Sequence, residues 1–253
     1  IIMNIVLRNT KSFRNIFETI KDSYNHLDLR FNHNGLFLQC LDISRVSILE
    51  IFLDRSYFSS YTIENEEVVS VFTENFVKCC HCLQPDDTLV ITYDEECLYM
   101  TIKSDLRTNK LKLNTILTND ELLNCDSSLN HTHVFKMTNK CFSQYYSDIK
   151  LFNCDSIHFI NNGKKELFNI KGEYDNGEID IECKCDGETI HIMKSKTTLD
   201  VEYPIKQFGL INKLTSIFDR CTLNLGNEIP IRINCILEKD SYFRIIIAPK
   251  MND

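Results

Sequence analysis

The chain has 253 residues, of which 43% are apolar and 25% charged, the balance of a globular protein with a sizeable core rather than a disordered chain. Its 28 Lys+Arg against 36 Asp+Glu leave a net charge of −8, which excludes a protein coated in nucleic acid. No apolar run reaches the ~18 to 20 residues needed to span a bilayer. The 12 cysteines lack the spacing of a secreted disulfide framework, and Asn4 interrupts the opening apolar run, so we expect a soluble intracellular protein with reduced thiols.

The first elements predicted are a strand, a helix and a hairpin. Ile5 to Leu7 has strand character, and Thr10 is predicted to cap a helix that runs to about Asp22. The helix carries one apolar stripe at helical spacing, formed by Phe13, Ile16, Phe17 and Ile20. After a strand over residues 27–31, Asn34-Gly35 is predicted to supply the positive φ angles of a tight hairpin turn.

A strand from Val46 to Asp54 precedes a second predicted helix, Thr73 to Leu83. The apolar stripe of this helix consists of Phe76, Cys79, Cys80 and Leu83. Three more strands are predicted at residues 88–93, 97–103 and 110–117. Residues 118–129 then lose all periodicity and collect Asn, Asp and Ser, which is typical of a linker.

The same order of elements restarts beyond this linker. A strand at His133 to Met137 is followed by Thr138 or Asn139 as a cap, and by a second Asn-Gly at residues 162–163. The helical stripe consists of Phe142, Tyr145, Tyr146 and Ile149. Thr138 and Gly163 are as far apart as Thr10 and Gly35, which favours duplicated domains. A last helix is predicted from Pro204 to about Leu214, before strands at residues 220–225, 229–237 and 243–248.

One stretch carries a family resemblance. Residues 34–54 read NGLFLQCLDISRVSILEIFLD, preceded by TKSFRNIFETIKD and completed near the C-terminus by IIIAPK. This resembles proliferating cell nuclear antigen, the eukaryotic sliding clamp, whose pattern is a glycine hairpin followed by L-Q-x-[ML]-D-x-S-x-V-[SA]-L. The residues that match are Leu38, Gln39, Leu41, Asp42, Ser44, Val46, Ser47 and Leu49, with Ala248-Pro249-Lys250 at the matching distance from the end. The chain is identified as a divergent member, and its Asn-, Ile- and Lys-rich composition favours a large DNA virus or a protist as the source.

The resemblance implies an α+β DNA clamp fold with two similar domains, each with two helices packed on antiparallel sheets. The domains would be residues 1–117 and 130–253, joined by a connecting loop at 118–129. In this family three chains close into a ring with helices lining the hole. Because exposed strand edges are unstable, we expect residues 110–117 of one chain to pair with residues 177–183 of the next.

The resemblance also implies which side chains face duplex DNA in the hole. The candidate DNA-binding residues lie on the outward faces of the four predicted helices: Lys11, Arg14, Lys21, Lys78, His81, Lys140, Lys206 and Lys213. Five of them match positions that are basic and DNA-facing in the family: Arg14, Lys21, Lys78, Lys206 and Lys213. Gln144, Ser147 and His81 fall where the family usually has Arg or Lys, so we expect a weaker grip on DNA. Phosphate contacts carry no sequence information, which suits a ring that slides.

A second implied site is an outer apolar pocket that receives the short motif of partner proteins. The matching residues are Leu41, Arg45, Val46, Leu122, Leu123, Ile229, Pro230, Ile246, Ala248 and Pro249. Arg45 replaces a residue that is often His, and Ile246 replaces an aromatic residue of many relatives, so the motif preference is open. The alternative is that these are ordinary core and turn residues with no binding role.

Neither a metal site nor an active site is predicted. Residues 79–82, Cys-Cys-His-Cys, lie on one helix and point in four directions, so they cannot surround a tetrahedral zinc ion. The chain shows no nucleophile elbow, phosphate-binding glycine loop or HExxH. We therefore expect no enzyme, no cofactor and no metal.

The function implied is that of a homotrimeric DNA sliding clamp and polymerase processivity factor, located in the nucleus or, if viral, at a cytoplasmic replication site. Its partners would be double-stranded DNA, two further copies of the chain, a DNA polymerase and other proteins with clamp-binding motifs, and a clamp loader, with no membrane. Two alternatives stay open: a subunit of a heterotrimeric checkpoint clamp, and a clamp-fold interaction protein that does not encircle DNA.

Overall fold

The computed structural model describes residues 3–118, 121–125, 129–163, 167–195 and 197–250. The chain divides into two compact units. The first unit comprises Ile1–Arg45, Leu49–Leu122 and Leu237–Phe243, and the second comprises Val46–Ile48, Leu123–Ile236 and Arg244–Asp253. The chain thus changes unit between Leu122 and Leu123, while the function of residues 118–129 as a connecting loop stays a prediction.

The N-terminal part of the chain alternates strands with two helices. Its strands are β1 (Met3–Leu7), β2 (His26–Asn32), β3 (Gly35–Leu41), β4 (Ser47–Asp54), β5 (Ser60–Ile63), β6 (Glu67–Phe72), β7 (Thr88–Tyr93), β8 (Cys97–Lys103) and β9 (Thr108–Asn114). Its helices are α1 (Thr10–Ile20) and α2 (Thr73–His81), with a 3-10 turn at Arg55–Tyr57.

The C-terminal part repeats this plan. Its strands are β10 (His133–Thr138), β11 (Ser156–Asn161), β12 (Leu167–Tyr174), β13 (Gly177–Lys184), β14 (Ile190–Ser195), β15 (Leu199–Pro204), β16 (Arg220–Leu225), β17 (Ile231–Ile236) and β18 (Tyr242–Ile247). Its helices are α3 (Asn139–Leu151) and α4 (Phe208–Lys213), with a 3-10 turn at Ile205–Gln207.

The sheets within each unit leave two strands of interest at their edges. In the first unit one sheet has the order β5-β1-β7-β8-β9, and β4, β3, β2 and β6 follow one another in another. In the second unit one sheet has the order β13-β12-β11-β15, and β14, β10, β16 and β17 follow one another in another. β9 pairs antiparallel with β8, and β13 pairs antiparallel with β12. Both strands predicted to be edges are therefore edges of their sheets.

The helices bury most of the residues in the predicted stripes, although Tyr145 and Tyr146 of the α3 stripe are only half-buried. Phe13, Ile16, Phe17 and Ile20 of α1 are fully buried, as are Phe76 and Cys80 of α2. In the second unit Phe142 and Ile149 of α3 are buried, and the hydroxyl of Thr138 accepts a hydrogen bond from the Cys141 N–H, the cap that was predicted. Two units with few helices on antiparallel sheets confirm the α+β class.

The predicted cap of α1 is wrong. Thr10 is the first helical residue and lies buried, and its hydroxyl donates to the carbonyl oxygen of Gln84 at 2.6 Å. Asn9 precedes the helix and makes no side-chain cap bond. The hydroxyl therefore ties α1 to the loop after α2 instead of satisfying the first turn of its own helix.

The first hairpin exists, but Gly35 does not form the centre of its turn. Asn32 and Gly35 are paired residues of β2 and β3, so the loop consists of His33 and Asn34. The Asn32 side-chain oxygen accepts from the N–H groups of Asn34 and Gly35 and closes this loop. Gly35 has φ +149°, and a Cβ there would lie 2.1 Å from the carbonyl oxygen of Leu53. Glycine is required by this close approach of β4.

The last helix is shorter than predicted. Pro204 ends β15, the residues after it form the 3-10 turn, and the α-helix begins only at Phe208. Some strand bounds also shift: the strand expected at residues 110–117 is Thr108–Asn114, and the one expected from Ile229 begins at Ile231.

Candidate nucleic-acid interface and partner pocket

The two helices of the first unit pack through aromatic rings and turn their basic residues outward. The Phe17 ring lies 4.7 Å from the Phe13 ring and 4.8 Å from the Phe76 ring, centroid to centroid. These ring contacts determine which faces of α1 and α2 are buried, and the opposite faces therefore lie at the surface. They expose Lys11, Lys21, Lys78 and His81, whereas Arg14 is half-buried.

Acidic side chains neutralise much of this charge. Glu18 accepts from Nε of Arg14 at 2.7 Å and lies 3.1 Å from Nδ1 of His81. Arg14 also donates from Nη1 to the Leu83 carbonyl oxygen, 3.1 Å away. Lys78 pairs with Glu74 one turn before it. Of the five candidates in this unit, only Lys11 and Lys21 form no ion pair within the described residues.

The helices of the second unit leave their lysines unpaired. Phe208 of α4 lies 6.4 Å from Phe142 of α3 and 6.1 Å from Phe159 of the sheet beneath, between ring centroids. This packing leaves the candidate lysines of the unit exposed: Lys140, Lys206 and Lys213. None of them forms an ion pair in the part of the chain that the structure describes.

A shallow polar groove follows the exposed face of α3. The residues that line it are Asn139, Lys140, Ser143, Gln144, Ser147 and Thr215. The Asn139 amide donates to the carbonyl oxygens of Thr215 and Phe218, which holds the segment after α4 against the start of α3. Gln144 donates to Asp148 at 2.8 Å. Gln144 and Ser147 thus give this face hydrogen-bonding groups in place of charge.

One basic residue near the C-terminal end of α2 was not among the predicted site residues. Arg107, in the turn before β9, donates to the Cys82 carbonyl oxygen at 3.1 Å and pairs with buried Asp87 at 3.0 Å. Its side chain stays 41% exposed. A residue in a hairpin turn has no periodic signal, and its position beside α2 depends on a contact between distant parts of the chain. It adds positive charge at the C-terminus of α2, where a cation is favourable.

The pocket candidates of the first unit are Leu41, Arg45 and Leu122, all exposed. Arg45 closes a turn by donating its N–H to the Asp42 carbonyl oxygen at 2.9 Å, and it adopts φ +57°. Ile43 in the same turn is 77% exposed and was not predicted as a site residue. An isoleucine this exposed beside Leu41 enlarges the apolar surface available to a partner.

The remaining pocket candidates belong to the second unit: Val46, Leu123, Ile229, Pro230, Ile246, Ala248 and Pro249. Ala248 donates its N–H to the Val46 carbonyl oxygen at 2.9 Å. The carbonyl of Ile229 accepts from the Tyr203 hydroxyl, and a ring nitrogen of His131 bonds the carbonyl of Pro230. Ile246 is only 6% exposed, whereas Leu123 is well exposed. The segments around these residues are thus held by defined hydrogen bonds.

The cysteine cluster on α2 consists of unreactive thiols. Cys80 is fully buried, and desolvation raises its pKa well above the usual value. Desolvation raises the pKa of Cys79 to about 11, so both thiols stay protonated at neutral pH. Among the described residues, no three His, Cys, Asp or Glu side chains are grouped so as to hold a metal ion. None of the helices that the structure describes has the length and apolar character needed to cross a membrane.

Similarity to known proteins extends over nearly the whole chain. Residues 2–126 match the family model of the proliferating cell nuclear antigen N-terminal domain. Proliferating cell nuclear antigen of Caenorhabditis elegans is 24% identical over 259 residues, covering 98% of this chain and 96% of that protein. A probable DNA polymerase sliding clamp 2 of Paramecium bursaria Chlorella virus 1 is 23% identical, covering 98% of this chain and 91% of the viral one.

The fold is also that of a solved clamp. A chain of the PCNA2–PCNA3 complex from Sulfolobus tokodaii superposes with a TM-score of 0.87 at 23% identity, covering 98% of this chain and 99% of that chain. These similarities confirm the resemblance drawn from residues 34–54 and the C-terminal motif. They also agree with the prediction that the protein is not an enzyme, since the members of this family are non-enzymatic processivity factors. Residues 2–126 thus belong to the proliferating cell nuclear antigen family, and the chain is similar to sliding clamps over nearly its whole length.

Proposed function

We propose that three copies of this chain close into a ring around duplex DNA, slide along it, and tether a DNA polymerase and other replication and repair proteins. The ring performs no chemistry itself. The observation that carries this proposal is the pair of free sheet edges, β9 and β13, which have opposite charge and belong to different units.

The charges on the two edges favour pairing of β9 with β13 over pairing of two identical edges. β9 exposes Lys110 and Lys112, whereas β13 exposes Glu178, Asp180 and Glu182. Opposite charges across paired strands are stabilising and like charges are destabilising, so β9 of one copy favours β13 of the next over another β9. Such a head-to-tail contact forms a ring when its rotation closes, and a closed ring has no free edge.

The basic residues of the four helices would then face the hole. Lys11, Lys21, Lys140, Lys206 and Lys213 would contribute unpaired charge, while Arg14 and Lys78 share theirs with Glu18 and Glu74, and the His81 ring contacts Glu18. Contacts from lysine to phosphate are independent of sequence and weaken with salt. Ring closure, not affinity, would hold the protein on DNA.

The outer apolar residues around Leu41, Ile43 and Leu122 would receive the motif of a partner. Relatives named DNA polymerase sliding clamp, such as that of Thermococcus fumicolans at 23% identity, support a polymerase as one partner. A clamp loader would open the ring. The eukaryotic and viral relatives support a nuclear or viral replication site as the location.

The test is the native mass in solution, measured by light scattering at micromolar concentration. We expect three times the 29.6 kDa chain mass for the wild type. Reversing one edge, in the double variant Lys110→Glu and Lys112→Glu, places acidic β9 against acidic β13 and should give monomers. Adding Glu178→Lys and Glu182→Lys to that variant restores opposite signs and should restore the trimer.

A wild-type monomer, or a quadruple variant that stays monomeric beside a trimeric wild type, would contradict the β9–β13 ring. Encirclement has its own measurement, retention on closed circular DNA in moderate salt. Cutting the circle should release the protein within minutes, because a ring slides off a free end. Equal retention on linear and circular DNA would argue for simple electrostatic binding.

A heteromeric ring is the second candidate, and one observation favours it. The solved relative is a complex of two different clamp chains, PCNA2 and PCNA3. If the wild type is monomeric alone but forms a defined complex with another clamp chain of the same source, this chain is one subunit of a mixed ring. A monomer that finds no such neighbour would favour a clamp-fold interaction protein.

A further inference from the structure

Three side chains of the first unit form a compact polar cluster beside the start of residues 118–129. Asp28 of β2 and Ser70 of β6 are directly opposed in the antiparallel pairing, and each is only 5% exposed. Thr118 lies just beyond β9. One oxygen of Asp28, Oδ1, accepts from the Ser70 hydroxyl at 2.6 Å and from the Thr118 hydroxyl at 2.8 Å. The two hydroxyl oxygens are 2.9 Å apart.

The backbone before Thr118 is held at the same place. The N–H of Ile116 donates to the Ser70 carbonyl oxygen at 2.9 Å, so residues 116–118 run along β6, the last strand of its sheet order. Leu117 points fully into solvent while Thr118 turns inward to Asp28. Ser70 thus contacts the segment through both its backbone and its side chain.

Because Asp28 is buried, its carboxyl group depends on the hydrogen-bond donors around it. A buried carboxylate is costly unless hydrogen bonds satisfy it, and bonds to an ionised acceptor are stronger than neutral ones. The guanidinium of Arg30 is more distant than these hydroxyls, since its Nη2 lies 3.8 Å from Oδ2, the other carboxylate oxygen. The Thr118 hydroxyl therefore supplies Oδ1 with one of its two close donors. Releasing the segment would cost Asp28 that donor.

We propose that Asp28, Ser70 and Thr118 form an anchor that fixes where residues 118–129 begin, and that Asp28 is thereby a positioning residue for partner binding. Leu122 follows Thr118 by four residues, so the chain keeps its Cα within about 14 Å of Thr118, and fixing Thr118 limits the positions that Leu122 can reach. Leu122 is an exposed apolar residue of the first unit. This role rests on the proposed function, in which Leu122 contacts the motif of a partner.

The test compares two threonines of the same segment. Thr118→Val removes the hydroxyl that reaches Asp28 and keeps the shape of the side chain. Thr115→Val is the matched control, because its hydroxyl donates to the Glu96 carbonyl oxygen at 2.9 Å and not to Asp28. Thr118→Ser keeps the hydroxyl and should behave as the wild type. Thr118→Asp places a second carboxylate beside Asp28 and should act like Thr118→Val or more strongly.

Two measurements test the anchor and its proposed role in partner binding separately. Hydrogen exchange of the amides at residues 116–118 and 121–125 reports the anchor, and we expect at least tenfold faster exchange in Thr118→Val but not in Thr115→Val. Binding of a fluorescein-labelled synthetic peptide with a short apolar clamp-binding motif reports positioning. We expect a three- to tenfold weaker Kd in Thr118→Val, with native mass and DNA retention unchanged.

Each outcome bears on one statement. Unchanged exchange in Thr118→Val would overturn the anchor. Faster exchange with an unchanged Kd would overturn the positioning role and leave the anchor standing. If the wild-type protein does not bind the peptide at all, the partner pocket of the proposed function fails and positioning fails with it, while exchange still reports the anchor.

Discussion

The two units of this clamp share an order of elements but present charge differently. On the helices of the first unit, Glu18 and Glu74 pair with three of the basic residues, whereas the candidate lysines of the second unit, Lys140, Lys206 and Lys213, have no acidic partner within the described residues. Counting basic residues would therefore rank the first unit as the stronger DNA-facing surface. The pairing reverses that order, because a charge held by a neighbouring carboxylate is less available to a phosphate.

The corresponding glycines also differ between the units. Gly35 is packed against the backbone of Leu53, where an added Cβ would stand 2.1 Å from the carbonyl oxygen. Gly163 has φ +77° and open space around it. The same Asn-Gly dipeptide thus serves a close approach of strands in one unit and a left-handed turn in the other.

Substituting these glycines tests that difference and should give the largest effect. Gly35→Ala forces β4 away from β3, because the clash is with backbone atoms that cannot rotate aside. We expect the free energy of unfolding to fall by at least about 3 kcal/mol, or the variant to fail to fold. Gly163→Ala should cost only the left-handed strain of about 1 to 2 kcal/mol. Urea unfolding of both variants is the measurement, and equal losses would contradict the distinction.

Replacing three lysines in each unit tests whether paired lysines contribute less to DNA binding than unpaired ones. A triple alanine variant of Lys140, Lys206 and Lys213 removes unpaired charges, and the slope of log K against log salt for DNA binding should fall by about 2.7. The matched alanine variant of Lys11, Lys21 and Lys78 should lower the magnitude of this slope by about 1.8, since the charge of Lys78 is already paired with Glu74. Equal slopes in titrations between 50 and 200 mM salt would show that the pairing seen at Glu74 does not persist on DNA.

The second unit should also be the more sensitive to acid, because it buries two histidines. His133 bonds the Thr197 carbonyl oxygen, and desolvation lowers the pKa of His133 and of His131 below 6.5. As the pH falls below about 6.5, these histidines become protonated in the unfolded chain before they do in the folded protein. The free energy of unfolding therefore decreases as the pH falls from about 6.5 to the lower pKa values of the folded state. The loss cannot exceed about 1.4 kcal/mol per pH unit for each histidine.

Thermal unfolding at pH 7.5 and 5.5 measures this loss. His133→Gln should be less stable at pH 7.5 but should show a smaller drop between the two pH values than the wild type. His33→Gln, in the exposed first turn, is the control and should leave the drop unchanged. A wild-type protein equally stable at both pH values would refute the prediction.

Sequence reasoning recovered what depends on local pattern. The stripes of α1 and α2 and strands such as Cys97–Lys103 follow from periodicity, and the cap at Thr138 follows from residue chemistry. The edges β9 and β13 followed from the family resemblance. The failures depend on contacts between distant residues. Thr10 bonds Gln84 rather than its own helix, and Gly35 is fixed by Leu53.

The candidate site divides in the same way. Helical spacing placed the lysines on exposed faces, but the bond from Arg14 to Leu83 and the turn position of Arg107 beside Cys82 depend on tertiary structure. The shortened last helix has a physical reason as well. Gly209 is the second residue of this helix, and glycine is a weak helix former.

Glu18 offers the finest test of the charge comparison, with the smallest expected effect. Glu18→Gln keeps the shape of the side chain and frees Arg14 and His81 from a carboxylate, so DNA affinity should rise about two- to threefold at low salt. Because Arg14 also bonds the Leu83 carbonyl, only part of its charge becomes available. Glu74→Gln, which frees Lys78 from an exposed pair, is the control and should give a smaller gain. Unchanged affinity in Glu18→Gln, with retention on circular DNA intact, would mean that α1 contributes no phosphate contact through Arg14, and that the unpaired lysines of both units provide most of the DNA contacts.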